Sequence, residues 1–331
     1  MKEFTISKND SEQRLDRFVG KVVPSLPSSL AQKHIRLKNI KVNNKGSKRD
    51  YRLSTGDTVQ MYISDKFLEA AHVKRASPGI SGVTPDLDII YEDENILLIN
   101  KPTGILCYDT RNIVKNTLIN KIQAYISQKD KWQPKGENTF SPALCNRIDR
   151  NTSGIVIAAK NAEALRIINE KLKNKEIDKY YLAVVHGIPE PDKGLLSGYI
   201  TKDGKRNIAK VSKTELPGSK YAETGYQTLK VSDNNSKPPI TLLECQLITG
   251  RTHQIRAQLA DIGHPLLGDI KYGGTKINEP YNETHQALCS YKIIFAFKTD
   301  AGLLNYLNGK SFEIKNEARV FRCPTPALAE V

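Results

Sequence analysis

The stretch Ala76-Ser-Pro-Gly-Ile-Ser-Gly-Val-Thr-Pro85 constrains the fold more than any other part of the chain. It is rich in glycine, proline and serine, and reads as the centre of a linker over 66–87. It separates a small unit at 1–65 from a larger one at 88–325. The length agrees: at roughly 150 residues per domain, 331 residues suggest two domains, one larger than the other.

Within 1–65, Leu15, Phe18, Val19 and Val22 recur at helical spacing. After a break from Pro24 to Ser29, Ser28 or Ser29 can cap a second helix running through Ala31 to Leu37. Short strand-like pieces follow at Ile40–Val42, Tyr51–Leu53 and Val59–Ile63, punctuated by Asn43, Asn44, Gly46 and Gly56. Eight basic residues fall between 28 and 52: Lys33, Arg36, Lys38, Lys41, Lys45, Lys48, Arg49 and Arg52, opposed by Asp50. A solvated face would explain them. Their density favours a cationic patch for phosphates.

In the larger unit, strands are expected at Ile89–Tyr91, Ile96–Asn100, Ile155–Ala159, Tyr180–Val185, Thr224–Val231 and Ile240–Leu247. A helix follows Asn161 as N-cap, with Leu165, Ile168 and Leu172 on one face. Another, from Thr252 to Ile262, should bury Ile255, Leu259 and Ile262 and stop at Gly263. Strands outnumber helices without alternating with them. The fold class is therefore α+β, with a mainly antiparallel mixed sheet flanked by helices and loops, plus the small N-terminal α+β unit.

Charge and cysteine usage narrow the function. Lysine and arginine number 50 against 36 acidic residues, a net of +14 with a pI near 9.4. Such an excess points to a polyanionic partner, usually nucleic acid. The five cysteines, Cys107, Cys145, Cys245, Cys289 and Cys323, form no CxxC pair and read as reduced thiols. The N-terminus lacks a signal-peptide pattern, and no apolar run approaches the roughly 20 residues of a membrane span. The protein is expected to be cytoplasmic. There is no GxSxG, P-loop or HExxH element, and His253 and His264, eleven apart, have no third ligand at metal-like spacing.

Three stretches could carry chemistry. In Asn146-Arg-Ile-Asp-Arg-Asn-Thr-Ser-Gly154, Asp149 lies between Arg147 and Arg150, just before an apolar strand. Neighbouring guanidinium groups keep an aspartate ionised, ready to serve as nucleophile or base. From these residues alone the simpler reading is an aspartate that pins a turn. In Thr249-Gly-Arg-Thr-His-Gln-Ile-Arg256, Arg256 stands beside core-facing Ile255, where a charge needs a partner, and Asp149 is a plausible one. Arg256 could also snorkel at the boundary. In Lys179-Tyr-Tyr-Leu-Ala-Val-Val-His-Gly187, the adjacent tyrosines face opposite sides of a strand. One is core, and the other could stack on a base.

Together these stretches resemble the RluA-type family of pseudouridine synthases. Arg147-Ile-Asp-Arg-Asn-Thr-Ser-Gly154 looks like the family's HRLDRxTSG motif, Lys179-Tyr-Tyr181 like its K-x-Y element, and Thr249–Arg256 like its third motif. The run Gly263-His-Pro-Leu-Leu-Gly-Asp-Ile-Lys-Tyr-Gly273 continues the match, and Asn100-Lys-Pro-Thr-Gly104 resembles the family's NKPxG turn. The likeness spans about 88–322. Residues 12–63 also look like the small RNA-binding domain of the ribosomal-protein S-four type, on Gln13–Phe18, Ile40–Asn43 and Tyr51–Asp57. Two positions depart from the family pattern: Asn146 and Tyr108 stand where it usually has histidine.

The resemblance implies an isomerase that converts specific uridines to pseudouridine, most of all in large-subunit ribosomal RNA. It implies Asp149 as nucleophile, Arg256 as its partner and Tyr181 against the target base. Arg147, Arg150, Arg251 and the patch of Lys33, Arg36, Lys38, Lys41, Lys45 and Lys48 would bind RNA. Bond cleavage from nitrogen and re-formation through carbon need no cofactor and no metal. The expected partner is structured RNA, met by a monomer with no membrane association. The alternatives are a synthase acting on transfer RNA, or a non-catalytic RNA-binding or ribosome-assembly protein.

Overall fold

The structure, a computed structural model, describes residues 1–8, 10–68, 82–109, 116–130, 140–204, 207–232, 238–281, 283 and 285–314. Most of the expected linker, Cys323 and the end of the larger unit at 315–325 lie outside the described residues. By packing, the chain divides into two compact units. One comprises Met1–Asp86, Asp109–Ala143 and Lys160–Leu165, the other Leu87–Tyr108, Leu144–Ala159 and Arg166–Val331.

The first unit contains β1 (Lys2–Thr5), α1 (Leu15–Val22), α2 (Ser28–Arg36), β2 (Ile40–Val42), β3 (Lys45–Gly46) and β4 (Thr58–Met61). The strands form an antiparallel sheet in the order β1-β4-β2-β3. Leu15, Phe18, Val19 and Val22 of α1 are buried, as their spacing requires. With Phe4, Ile35, Ile40, Val59 and Met61 they form one core. Full burial of each such side chain contributes about 1.5–3 kcal/mol. Asn43 and Asn44 turn β2 into β3 with φ of 50° and 63°, values that asparagine tolerates well. Two expectations fail here. Ser28 is already helical, behind Pro27, and no side chain caps α2. Tyr51–Leu53 makes no strand, only a bridge from Arg52 to Arg14. This unit also includes α3 (Leu118–Asp130).

The rest of the chain is built on one large sheet of β5 (Ile89–Glu92), β6 (Ile96–Lys101), β7 (Ala143–Leu144), β8 (Ser153–Ala159), β9 (Ile177–His186), β10 (Lys193–Asp203), β11 (Ile208–Ser212), β12 (Lys220–Ser232), β13 (Ile240–Leu247), β14 (Leu288–Phe295) and β15 (Ser311–Glu313). Nine of these run in the order β11-β10-β12-β13-β9-β14-β8-β6-β5, with β15 added to β14 and β7 to β8. Every described pairing along that path is antiparallel except β14 with β8. The chain is therefore α+β with a mostly antiparallel sheet. β6 and β8 are buried along their whole length, as continuous apolar runs at a sheet centre should be.

The remaining helices are α4 (Ala162–Lys173) and α5 (Gln254–Asp261). Asn161 Oδ1 accepts from Ala164 N–H at 2.8 Å, the cap expected for α4. α5 is shorter than its periodicity suggested. Ile255 and Leu259 are buried, but Ile262 lies beyond its end and is exposed. Gly263 then turns the chain with φ +86°. No described helix is long and apolar enough to cross a membrane.

Candidate active site

Asp149 lies in the loop that leads from β7 into β8. Its carbonyl accepts from Thr152 N–H at 3.2 Å, closing a tight turn. Gly154 then enters β8 with φ +113°, and a Cβ there would stand 2.3 Å from the Ser290 carbonyl oxygen. Only glycine lets β14 pair so closely just after the loop.

The loop is held from behind by Lys101, at the end of β6. Its fully buried ammonium donates to the carbonyls of Pro102, Ile105 and Arg150 at 2.9, 3.0 and 3.0 Å. Three donors meet three acceptors, so a buried lysine is satisfied by backbone alone. Burial pushes this ammonium down to about 8, against the opposing influence of the Asp149 charge, among others. Arg150 is exposed, and its Nε donates to Gly104 O at 3.0 Å. The two departures from the family pattern also act on backbone. Tyr108 Oη accepts from Leu144 N–H at 2.9 Å, and Asn146 Oδ1 accepts from Ile157 N–H at 2.8 Å.

Arg256 meets Asp149 across 107 residues of chain. Its Nη1 donates to Asp149 Oδ2 at 2.8 Å, the contact anticipated from sequence. None of the ion pairs among the described residues joins Asp149 to Arg147 or Arg150, its sequence neighbours. Arg256 is buried, and its other nitrogens grip a second carboxylate: Nε to Asp269 Oδ2 at 2.7 Å, and Nη2 to Asp269 Oδ1 at 3.0 Å. Burial works against its charge. The hydrogen bonds and charges of Asp269, then Asp149, outweigh that effect and hold the guanidinium above arginine's ordinary value. Asp269 is 1% exposed and also accepts from the N–H groups of Lys271 and Tyr272 at 3.1 and 3.3 Å.

The aim of Arg256 is set by the polar face of α5. Gln254 Oε1 accepts from Thr249 Oγ1 and Arg251 N–H, and its Nε2 donates to Glu223 O and Thr224 Oγ1. One turn on, Gln258 Oε1 accepts from Thr224 Oγ1 and its Nε2 donates to Leu196 O. The two glutamines clamp the helix to β10 and β12. Arg256, on the other side of the helix, is held by its bonds to Asp269 and Asp149.

His253 precedes α5 in the left-handed region, φ 52°, without capping the helix. Such a conformation in a non-glycine residue costs about 1–3 kcal/mol and gathers at functional sites. Its Nε2 lies 3.8 Å from Asp149 Oδ2 and its Nδ1 2.9 Å from Tyr272 Oη. Burial, then the charges of Arg256 and Lys271, lower its pKa, against the pull of Asp149 and Asp269. The imidazole is therefore neutral at pH 7.

Tyr181 on β9 is buried in the cluster that includes Leu243, Ile255 and Leu288, with Ile148 against it. Burial, then the Asp149 charge, raises its hydroxyl pKa, so it stays protonated. Tyr180 faces the other way, with the Lys292 ammonium 5.0 Å from its ring centre. Arg147 is exposed, and Arg251 Nε donates to Tyr221 O at 2.9 Å. In the first unit, Lys33, Arg36, Lys38, Lys48 and Arg49 line one groove of about 670 Å³. Lys41 and Lys45 do not line it, and Lys41 instead sits over the Tyr62 ring at 5.2 Å. No group of three or more metal-ligating side chains occurs among the described residues.

The sequence reading missed Lys101, Asp269, His253 and Tyr272. Asp269 and Tyr272 sit within the run Gly263–Gly273 that carried part of the resemblance, but nothing in their spacing announces a partner. From its spacing, His253 offers only a metal-ligand reading.

Residues 95–261 match the family model described as RNA pseudouridylate synthase. An uncharacterized RNA pseudouridine synthase of Mycoplasma capricolum is 34% identical over 319 residues, covering 96% of this chain and 98% of the relative. A ribosomal large subunit pseudouridine synthase C of Vibrio vulnificus is 31% identical over 282 residues, 85% of this chain and 82% of the relative. Among solved structures, human RNA pseudouridylate synthase domain containing 1 superposes with a TM-score of 0.53 at 21% identity. That match covers 65% of this chain and 81% of the human one, and speaks to the fold.

Proposed function

The chain belongs to the RNA pseudouridylate synthase family, and from that premise we propose that it isomerises specific uridines of large-subunit ribosomal RNA with Asp149 as the nucleophile. The observation that carries this reading is the Asp149 carboxylate. It is 28% exposed and hydrogen-bonded by Arg256, itself anchored by a fully buried second aspartate. A carboxylate that only pinned its turn would have no need of a guanidinium delivered from another helix with its own buried counter-ion.

The chemistry asks little else of the protein. The bond from ribose C1′ to base N1 breaks, the base turns, and C1′ bonds to C5. The C5 proton is lost and N1 gains one. No electron balance changes and no group leaves. Asp149 attacks the sugar or the base ring, with Arg256 hydrogen-bonded to its Oδ2. The uridine must first leave its stack, at a few kcal/mol. Tyr181 against the base, and Arg147, Arg150 and Arg251 against phosphates, help offset that cost. Residues 1–65 act as an RNA-binding domain of the S-four type, joined by 66–87 to a catalytic domain at 88–325. The groove of Lys33, Arg36, Lys38 and Lys48, with Lys41 and Lys45 nearby, takes the RNA backbone. The protein works as a cytoplasmic monomer.

The ribosomal substrate is supported by relatives named ribosomal large subunit pseudouridine synthase C, 30–32% identical over most of the chain. Mapping pseudouridines in total RNA from cells with and without the gene tests it. Loss of one or a few sites in large-subunit ribosomal RNA is expected. Loss confined to transfer RNA would overturn the substrate, and loss nowhere would overturn the activity.

A further inference from the structure

We propose that His253, locked by Tyr272, is a positioning residue that fixes the Asp149 carboxylate so that Oδ1 is the oxygen presented to the target uridine. The inference rests on the reading of Asp149 as nucleophile and says how that nucleophile is aimed.

Two side-chain nitrogens approach the carboxylate among the described residues, and both address the same oxygen. Arg256 Nη1 donates to Oδ2 at 2.8 Å, and His253 Nε2 stands 3.8 Å from it, near enough to close on it without a direct hydrogen bond in this geometry. Oδ1 is left for the substrate. Its bond to the uridine forms either at C1′, as the C1′–N1 bond breaks, or at base C6, as the C5–C6 double bond opens; it breaks again when C5 displaces it from C1′, or when elimination restores the ring double bond, so the carboxylate ends unchanged.

The tautomer of His253 follows from its other side. Tyr272 Oη accepts the N–H of Ala209 at 2.8 Å, and lies 2.9 Å from His253 Nδ1. The hydroxyl's one proton is best placed on that nitrogen. Nδ1 then accepts, and Nε2 carries the hydrogen, aimed at Asp149. The opposite tautomer would set a lone pair against a carboxylate and make the phenol oxygen accept twice. Tyr272 is itself held: its N–H donates to Asp269, and its ring stacks against Arg256, 5.2 Å from the guanidinium carbon, and edge-on to His253. One residue thus braces both groups that face Oδ2. His253 holds a left-handed backbone that serves no cap, and its side chain is 7% exposed.

Two measurements on the full chain test this. In protein carrying ¹⁵N-histidine, the His253 ring should be the Nε2–H tautomer from pH 6.5 to 8.5. An Nδ1–H tautomer, or a doubly protonated ring at pH 7, would overturn the proposal without any variant having to fold. In single-turnover assays with enzyme in excess, His253→Leu should slow conversion about 10²-fold, the scale of a mis-aimed reacting group, at unchanged RNA affinity. His253→Gln, which can place an N–H near the ring Nε2, should restore most of that rate. A full rate for the leucine variant, or a glutamine variant no faster than it, would refute the idea. If Asp149→Asn remained active, the nucleophile reading itself would fall. If that variant is inert while His253→Leu is fast, only the present inference fails.

Discussion

Replacing Arg256 by methionine keeps most of its volume and removes its charge. The consequence follows from the two carboxylates it leaves behind. Asp149 is 28% exposed and can be rehydrated, so its share of the loss is small. Asp269 is 1% exposed and cannot. It would keep the N–H bonds of Lys271 and Tyr272 but lose two guanidinium bonds of 2.7 and 3.0 Å. Breaking a buried pair by removing one partner costs about 3–5 kcal/mol. At about 2–4 °C per kcal/mol for a domain of this size, the melting temperature should fall by roughly 6–20 °C. Adding Asp269→Asn should recover more than half of the loss in urea titrations, because no buried charge then remains. A single variant that lost less than about 1 kcal/mol, the range of an exposed pair, would refute the reasoning. So would a double variant no better than the single.

Two further outcomes follow from the geometry. Lys171 and Glu176 form a buried pair at 2.9 Å, and the Lys171 hydrogen bond, aided by Thr299 and the Lys298 N–H, holds the Glu176 carboxyl down to about 2. Its stabilising effect is full above the ordinary glutamate range and fades as pH falls toward 2, so Glu176→Gln should narrow the stability gap to wild type between pH 7 and 3, measured by urea midpoints. In the groove of the first unit, changing Lys33, Arg36 and Lys48 together to alanine should reduce the slope of log affinity against log salt by about 2–3, measured on ribosomal RNA by filter binding; an unchanged slope would remove that groove from the RNA interface.

The sheet was largely legible because its central strands are apolar runs. Ile240–Leu247 appears with the expected limits, and Ile155–Ala159 is extended by two residues. β10 and β11 escaped notice because glycine, serine and lysine break their alternation; β10 takes its register from β12, and β11 from β10. Ser28 failed as a cap because the preceding Pro27 already carries the extended geometry of the cap position. The site was legible only in part, and for a physical reason. Asp149 announced itself by its charged neighbours, yet its ion pair is with Arg256, 107 positions away. A buried lysine such as Lys101 contradicts every compositional expectation, and its three carbonyl partners are visible only once the NKPxG turn is folded. Asp269 and Tyr272 act through a loop whose shape no periodicity encodes.

The chemistry depends on Asp149, and one variant tests it. Asparagine keeps the size of aspartate and removes its charge. Arg256 would still be paired with Asp269, so the melting temperature should move by no more than about 3 °C, the scale of a partly exposed pair. RNA affinity should hold or rise, since one anion leaves a basic surface. Pseudouridine formation by Asp149→Asn should be undetectable after long incubation of ribosomal RNA with excess folded enzyme. Slow but complete conversion by that folded variant would contradict the assignment of Asp149 as the nucleophile.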